Sequence, residues 1–278
     1  MSLKNTIKEN VPGFLKEAWR NSQKLSKKKT YEALKNFVEK NDVIKRLFSE
    51  KVVDEHYGTR KSRNNVFHPD LFINQIRYFR LWEYFQTFYP EIFKDEIKVL
   101  NAGDSSGVLL NAMGKKGVSL DIDPHSVQKI KNKGIEAYQG SIYQLPFPEK
   151  SFDYSMSFQC LEHLDSPMLA LKELERVTRK RIFISIPYRE DTRVCNKEYW
   201  DDIIRKPEDQ GGWNVKEPQE NFDYHIFEFS AKDFISLLSY TGLECERHYP
   251  INYLEPIGAT SVNKGSYFNF FDIKVKNG

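Results

Sequence analysis

Apolar positions along this chain change their spacing near residue 97. Before that point they recur at helical intervals. Leu34, Phe37 and Val38 share one face of a segment from Tyr31 to Glu39 that Thr30 can cap, and Asp42 can cap a second segment bearing Val43, Ile44, Leu47 and Phe48. A third, strongly aromatic segment, Phe72 to Phe88, places Ile73, Ile76, Phe79, Leu81, Tyr84 and Phe85 at helical spacing before Pro90 stops it. Residues 1–28 are polar and loosely helical around Pro12-Gly13, and Gly58 to Asn65 is a basic, turn-rich loop.

From Ile97 onward, short β-branched runs alternate with helical segments, which predicts a parallel sheet with crossover helices. Strands are expected at 97–101, 117–121, 135–138, 153–158 and 181–186, and helices near 106–113, 124–133 and 165–178. Residues 187–224 break the rhythm with a polar stretch that includes Pro207 and Gly211-Gly212, the signature of a lid or binding loop. Ser230 then caps a helix from Ala231 to Tyr240 that ends at Thr241-Gly242, followed by strands near 243–248 and 267–275. The expected fold is α/β, a doubly wound, seven-stranded, mostly parallel sheet over 95–278, with an N-terminal helical extension over 1–94 and a lid-like insertion at 187–224.

Composition narrows the function classes. With 278 residues, 40% hydrophobic and 14% aromatic, the chain can bury a sizeable core. No apolar run approaches the roughly 20 residues a membrane helix needs, so no span is expected. The N-terminus lacks the apolar core of a signal peptide, and a cytoplasmic location is expected. Cys160, Cys195 and Cys245 form no CxxC or Cys/His cluster, which argues against a disulfide framework and a structural zinc site. Residues 1–30 carry eight Lys/Arg and two Glu, a net +6 against +3 for the whole chain, so the remainder is net −3. This basic arm reads first as a solvated helical end.

The chemistry concentrates at Ile97-Lys-Val-Leu-Asn-Ala-Gly-Asp-Ser-Ser-Gly107. A buried run breaks into Gly103-x-Ser105-x-Gly107, resumes as a helix, and is followed by a second run ending in Asp121. Glycines there permit positive φ and close ligand approach, and the following helix offers free N–H groups. An acid at the tip of the next strand can accept from both ribose hydroxyls. The unit reads as a nucleoside-binding β-turn-α-β.

Six ordered segments then resemble class I S-adenosylmethionine-dependent methyltransferases of the type common in quinone, lipid and sugar methylation. They are Val99 to Gly107, Leu120-Asp-Ile-Asp-Pro124, Gly140 to Asp153, Phe158-Gln-Cys-Leu-Glu-His-Leu164, Phe183-Ile-Ser-Ile-Pro187, and His225-Ile-Phe-Glu-Phe-Ser-Ala-Lys-Asp-Phe. The resemblance covers about residues 95–248 and implies S-adenosylmethionine as cofactor. It assigns Gly103, Ser105 and Gly107 to the methionine part, Asp121 to the ribose diol, and Ile122 to the adenine face. Ser141 and Ile142 fall at the adenine edge, while Phe158 and Gln159 border the methionine arm. Asn101, standing where the family has an acid, can accept from the cofactor's amino end. Ser105 replaces the middle glycine and Ser141 replaces an aspartate. For the cofactor's carboxylate the preceding helix offers Arg77 and Arg80, and Arg77 is the chosen candidate.

Candidate catalytic groups are His163 and His225, either of which can take a proton near neutral pH, and Tyr188 directly after the fifth strand. Glu162 reads as a solvated helix carboxylate, Asp153 as structural, and Trp200 and Trp213 as lid residues able to stack on a ring. His56 and His68 have no partners at metal-ligand spacing, so no metal site is expected. The expected function is methyl transfer to a small molecule at oxygen, the acceptor being quinone-, lipid- or sugar-like, with no nucleic-acid partner and the oligomeric state open. Two rivals are an RNA or protein acceptor, supported by the basic arm with Arg60, Lys61 and Arg63, and a degenerate fold kept as a non-catalytic partner protein. A nicotinamide dehydrogenase needs GxGxxG, which this turn lacks.

Overall fold

In the computed structural model, seven strands form one sheet in the order β3-β2-β1-β4-β5-β9-β8. They are β1 (Val99–Ala102), β2 (Val118–Asp121), β3 (Glu136–Gln139), β4 (Phe152–Phe158), β5 (Thr178–Pro187), β8 (Glu244–Ile251) and β9 (Phe268–Lys274). A two-stranded ladder joins β6 (Arg193–Val194) and β7 (Phe227–Glu228). The structure describes residues 32–33, 35–47, 69–114, 117–194, 225–251, 255–257 and 268–276. The basic arm, Thr30, Leu34, Phe48, His56, the 58–65 loop, His68, Cys195, Trp200, Trp213 and the 195–224 part of the expected lid lie outside these residues.

β1 to β5 pair in parallel and β9 runs antiparallel between β5 and β8. The expected doubly wound sheet is therefore present, with each strand within about four residues of its expected bounds. Helices cover both faces of β1 and β4, and every residue of both strands is buried, including Asn101 and Asp153.

One face packs against α2 (Pro69–Phe88), α3 (Val108–Ala112) and α4 (Pro124–Asn132), with α1 (Asp42–Leu47) outside α2. Ile76, Phe79, Leu81 and Phe85 of α2 share an apolar cluster with Val108, Met156, Phe183 and Phe270. The other face packs against α5 (Pro167–Val177) and α6 (Ala231–Tyr240) through Ala170, Leu171, Leu174, Phe234 and Leu238. Helix starts follow the sequence. Asp123 accepts from the N–H groups of His125 (3.0 Å) and Ser126 (3.1 Å) ahead of Pro124, and Ser230 Oγ accepts from Asp233 N–H. α2 ends at Phe88, and Pro90 begins a 3-10 turn. A fully buried carboxylate fastens α2 to the sheet: Asp272 of β9 accepts from Tyr84 Oη (2.8 Å), Tyr89 Oη (2.5 Å) and Arg181 Nη1 (2.8 Å).

Strand order reverses between β1 and β4. In an open α/β sheet a ligand crevice opens at that switch point, beyond the carboxyl ends of the strands. The candidate site lies there.

Candidate active site

The turn after β1 is held from within. Gly103 N–H donates to the Leu120 carbonyl at 2.8 Å, tying the turn to β2. Asp104, buried beneath it, accepts from Gly107 N–H (2.8 Å) and from Ser119 Oγ (3.0 Å), and the Asn101 amide also bonds to it. Burial pushes the Asp104 carboxyl up, against the pull of these donors. Sequence reading passed over Asp104. An Asp within a Gly/Ser turn ahead of a helix is a signal for such local capping, and it was available.

Gly103 and Gly107 both take left-handed φ, +73° and +67°. A Cβ on Gly103 would lie 2.9 Å from Cys160 Cβ and closer still to its Sγ, whereas one on Gly107 would press on Ile130 and Ile135. Both positions therefore require glycine, for backbone conformation and for close packing. Ser105 lies half-buried between them.

Asp121 at the tip of β2 is 8% exposed, and its Oδ1 is held by Asp123 N–H at 2.8 Å. Burial, with Asp104 and Asp123 nearby, pushes its carboxyl up to about 6. Next to it Ile122 leaves 47% of its surface exposed, an apolar patch beside a buried acid. Ser141 shapes the turn after β3 by accepting from Tyr143 N–H at 3.2 Å, and Ile142 is buried with Leu100 and Leu120.

At the end of β4, Phe158 is buried and Gln159 takes φ of +54°, uncommon for a side-chain-bearing residue. Gln159 is held by its N–H on the Ser185 carbonyl (2.9 Å) and its Nε2 on Ser185 Oγ (3.2 Å). The 3-10 turn Leu161–His163 follows. Glu162 is not a solvated carboxylate. It is 1% exposed, neither oxygen has a hydrogen-bond partner, and burial pushes it up to about 7 despite the positive pull of His225 and Arg77. The helical spacing that suggested exposure fails because the 225–228 segment covers this turn, with Ile226 N–H donating to the Glu162 carbonyl at 2.7 Å.

That covering segment brings His225 against His163, with ring centres 4.9 Å apart and edge to face. Glu162, His163 and His225 each place a ligand-capable atom within 4.8 Å of the others. The linear sequence hides this grouping, since His225 lies more than sixty residues beyond its partners. His225 Nδ1 meets Glu228 Oε1 at 2.9 Å. Glu228 is buried, which raises its carboxyl, but His225, Arg189 and Arg193 together hold it down at about 2. The two arginines reach it through the β6–β7 ladder, where Arg193 pairs with Glu228 in register. Tyr188 lines a cavity of about 320 Å³ with Ser230, Lys232, His248 and Asn269.

The two α2 arginines separate by environment. Arg80 pairs with Glu83 at 2.8 Å and lies over Phe37, away from the sheet edge. Arg77, 3% exposed, lies over Phe268 at the start of β9, donates to Tyr78 Oη, and acts electrostatically on Glu162. It therefore stands on the crevice side.

This strand order, with a glycine turn after β1, an acid ending β2 and polar groups following β4, is the doubly wound arrangement expected from the sequence. Residues 100–185 match the methyltransferase domain family. The chain is 27% identical over 157 residues to an uncharacterized methyltransferase of Schizosaccharomyces pombe, covering 49% of this chain and 56% of that protein. It is 26% identical over 98 residues to the chloroplastic 2-methyl-6-phytyl-1,4-hydroquinone methyltransferase 2 of Oryza sativa, covering 32% and 28%. The chain thus spans about half or less of the length of the curated relatives it matches. Among solved structures, a chain of the complex between the Haloferax volcanii Trm112 methyltransferase activator and its methyltransferase superposes with a TM-score of 0.53 at 15% identity. The match covers 81% of this chain and 98% of that one, a likeness of fold.

Proposed function

We propose that this protein transfers the methyl group of S-adenosylmethionine to a hydroxyl oxygen of a small quinone-, lipid- or sugar-like molecule. The observation that carries the cofactor reading is the left-handed glycine turn at Gly103 and Gly107, tied through Gly103 N–H to the end of β2, where Asp121 is buried with the exposed apolar surface of Ile122 beside it. These residues fit a nucleoside with a charged amino-acid arm.

S-adenosylmethionine supplies an already activated methyl group, so the protein has mainly to position the acceptor and remove its proton. Asp121 holds the ribose hydroxyls, Ile122 packs on the adenine face, and Ser141 and Ile142 close the adenine edge. The backbone of Gly103 to Gly107, with Ser105, passes along the methionine arm, and Phe158 and Gln159 border it. Asn101 accepts from the amino end, its amide N–H₂ being committed to Asp104. Arg77 takes the carboxylate. His163 and His225 stand where the acceptor enters and receive its hydroxyl proton, directly or through what they hold. Glu228, ionised, orients the His225 ring through its contact with Nδ1. Tyr188, directly after β5, is the third group that contacts the acceptor.

Calorimetry with S-adenosylmethionine and S-adenosylhomocysteine tests the cofactor reading. Micromolar binding is expected, and no heat at millimolar ligand would overturn it. The acceptor reading is tested with methyl-labelled cofactor and a panel of hydroquinones, hydroxylated lipids and sugars. Label recovered as a methyl ether is expected, and label found only on RNA or protein would replace it.

A further inference from the structure

We infer that Glu162, His163 and His225 form a binding site for one divalent transition-metal cation of the zinc type. Three observations meet here. Each side chain brings a ligand-capable atom within 4.8 Å of the other two, a spread that small side-chain rotations close to the 3–3.5 Å between ligands of one ion. Glu162 is almost wholly buried, yet both its carboxylate oxygens lack a hydrogen-bond partner. A buried carboxylate left bare is costly, and a cation between the two imidazoles supplies the missing partner. The third is that the Glu228 carboxylate meets His225 Nδ1 at 2.9 Å. A carboxylate behind a histidine in this way is the usual outer support of a metal-bound imidazole.

The donor set selects the class of cation. Two imidazole nitrogens and one carboxylate suit zinc and its first-row neighbours, whereas magnesium and calcium prefer all-oxygen cages. Local charge agrees. Arg77 acts on Glu162, and Arg189 and Arg193 neutralise Glu228, so the pocket is not the strongly anionic kind that holds hard cations by charge alone. Three protein ligands leave a coordination position open, as in catalytic zinc sites. The site follows β4 immediately, beyond Phe158 and Gln159. An acceptor hydroxyl on the open position would be both placed and made more acidic. In that case the two histidines act through the cation. The cation site stands on these three residues alone, whereas its role toward the acceptor rests on the methyl-transfer reading.

The test uses the full chain, stripped with chelator and titrated with Co²⁺ while visible absorbance is followed. One equivalent is expected to bind with micromolar affinity and intense d–d bands, displaced by Zn²⁺. His163→Asn, His225→Gln and the near-isosteric Glu162→Gln are each expected to weaken binding at least tenfold, while His125→Ala leaves it unchanged. S-adenosylhomocysteine binding by the metal-free chain is measured in parallel. No Co²⁺ binding below about 1 mM, or binding that survives all three substitutions, overturns the site. Loss of nucleoside binding with the metal site intact overturns only the methyl-transfer reading.

Discussion

Asp121 shows how a single residue sets function against stability. Its carboxyl, ordinarily near 3.8, is pushed up to about 6 in the folded chain, so the folded state holds this proton more tightly than the unfolded one. For a raised acid the stabilising contribution is full below the unfolded value and is lost as pH rises through about 6. At pH 7 the buried charge therefore costs the cofactor-free fold on the order of 2–3 kcal/mol, from a shift of roughly two units. Asp121→Asn keeps the acceptor for Asp123 N–H and removes the charge. It is expected to raise the melting temperature of the ligand-free protein at pH 7, with the gain shrinking as pH falls below about 6 and vanishing only below 3.8. It is also expected to weaken S-adenosylhomocysteine binding more than tenfold. A variant no more stable than wild type at pH 7 would show that Asp121 carries no such cost. The sequence made Asp121 legible because an acid ending a strand after a glycine turn has few other uses. Glu162 was misread, since its burial comes from a segment sixty residues away.

Among the elements, the link between α2 and the far side of the sheet carries the sharpest consequence. Asp272 is fully buried in β9 and serves Tyr84 and Tyr89 at one end and Arg181 at the other. Removing one partner of a buried pair strands the rest, at about 3–5 kcal/mol. Asp272→Ala is expected to lower stability by that amount in urea unfolding, and a loss under 1 kcal/mol would mean the partners find water instead. Long elements such as α2 and α6 were legible from spacing because each presents a full apolar stripe. The β6–β7 ladder was not. Two residues per strand carry no periodicity, and only the Glu228 pairing with Arg189 and Arg193 makes it worth forming.

For the whole molecule, the candidate site draws Arg77 from α2 and Glu162 from the turn after β4, and the two interact electrostatically. Ligand binding there stabilises the folded state by mass action, about 2.7 kcal/mol at a hundredfold excess over Kd. For a chain of this size that corresponds to a rise in Tm of about 5 °C or more with S-adenosylhomocysteine. An unmoved transition at saturating ligand would contradict the placement of the site. In the membrane direction, no helix among the described residues is long and apolar enough to cross a bilayer.

The order of strands and helices, the glycine turn and the acid of β2 were determined by the sequence alone, because local periodicity, turn chemistry and the position of an acid at a strand tip act over a few residues. The grouping of Glu162, His163 and His225 and the bare buried carboxylate were decided only by tertiary structure. Each depends on which distant segment covers a surface, and that is settled by packing across the sheet, where contacts join residues dozens of positions apart.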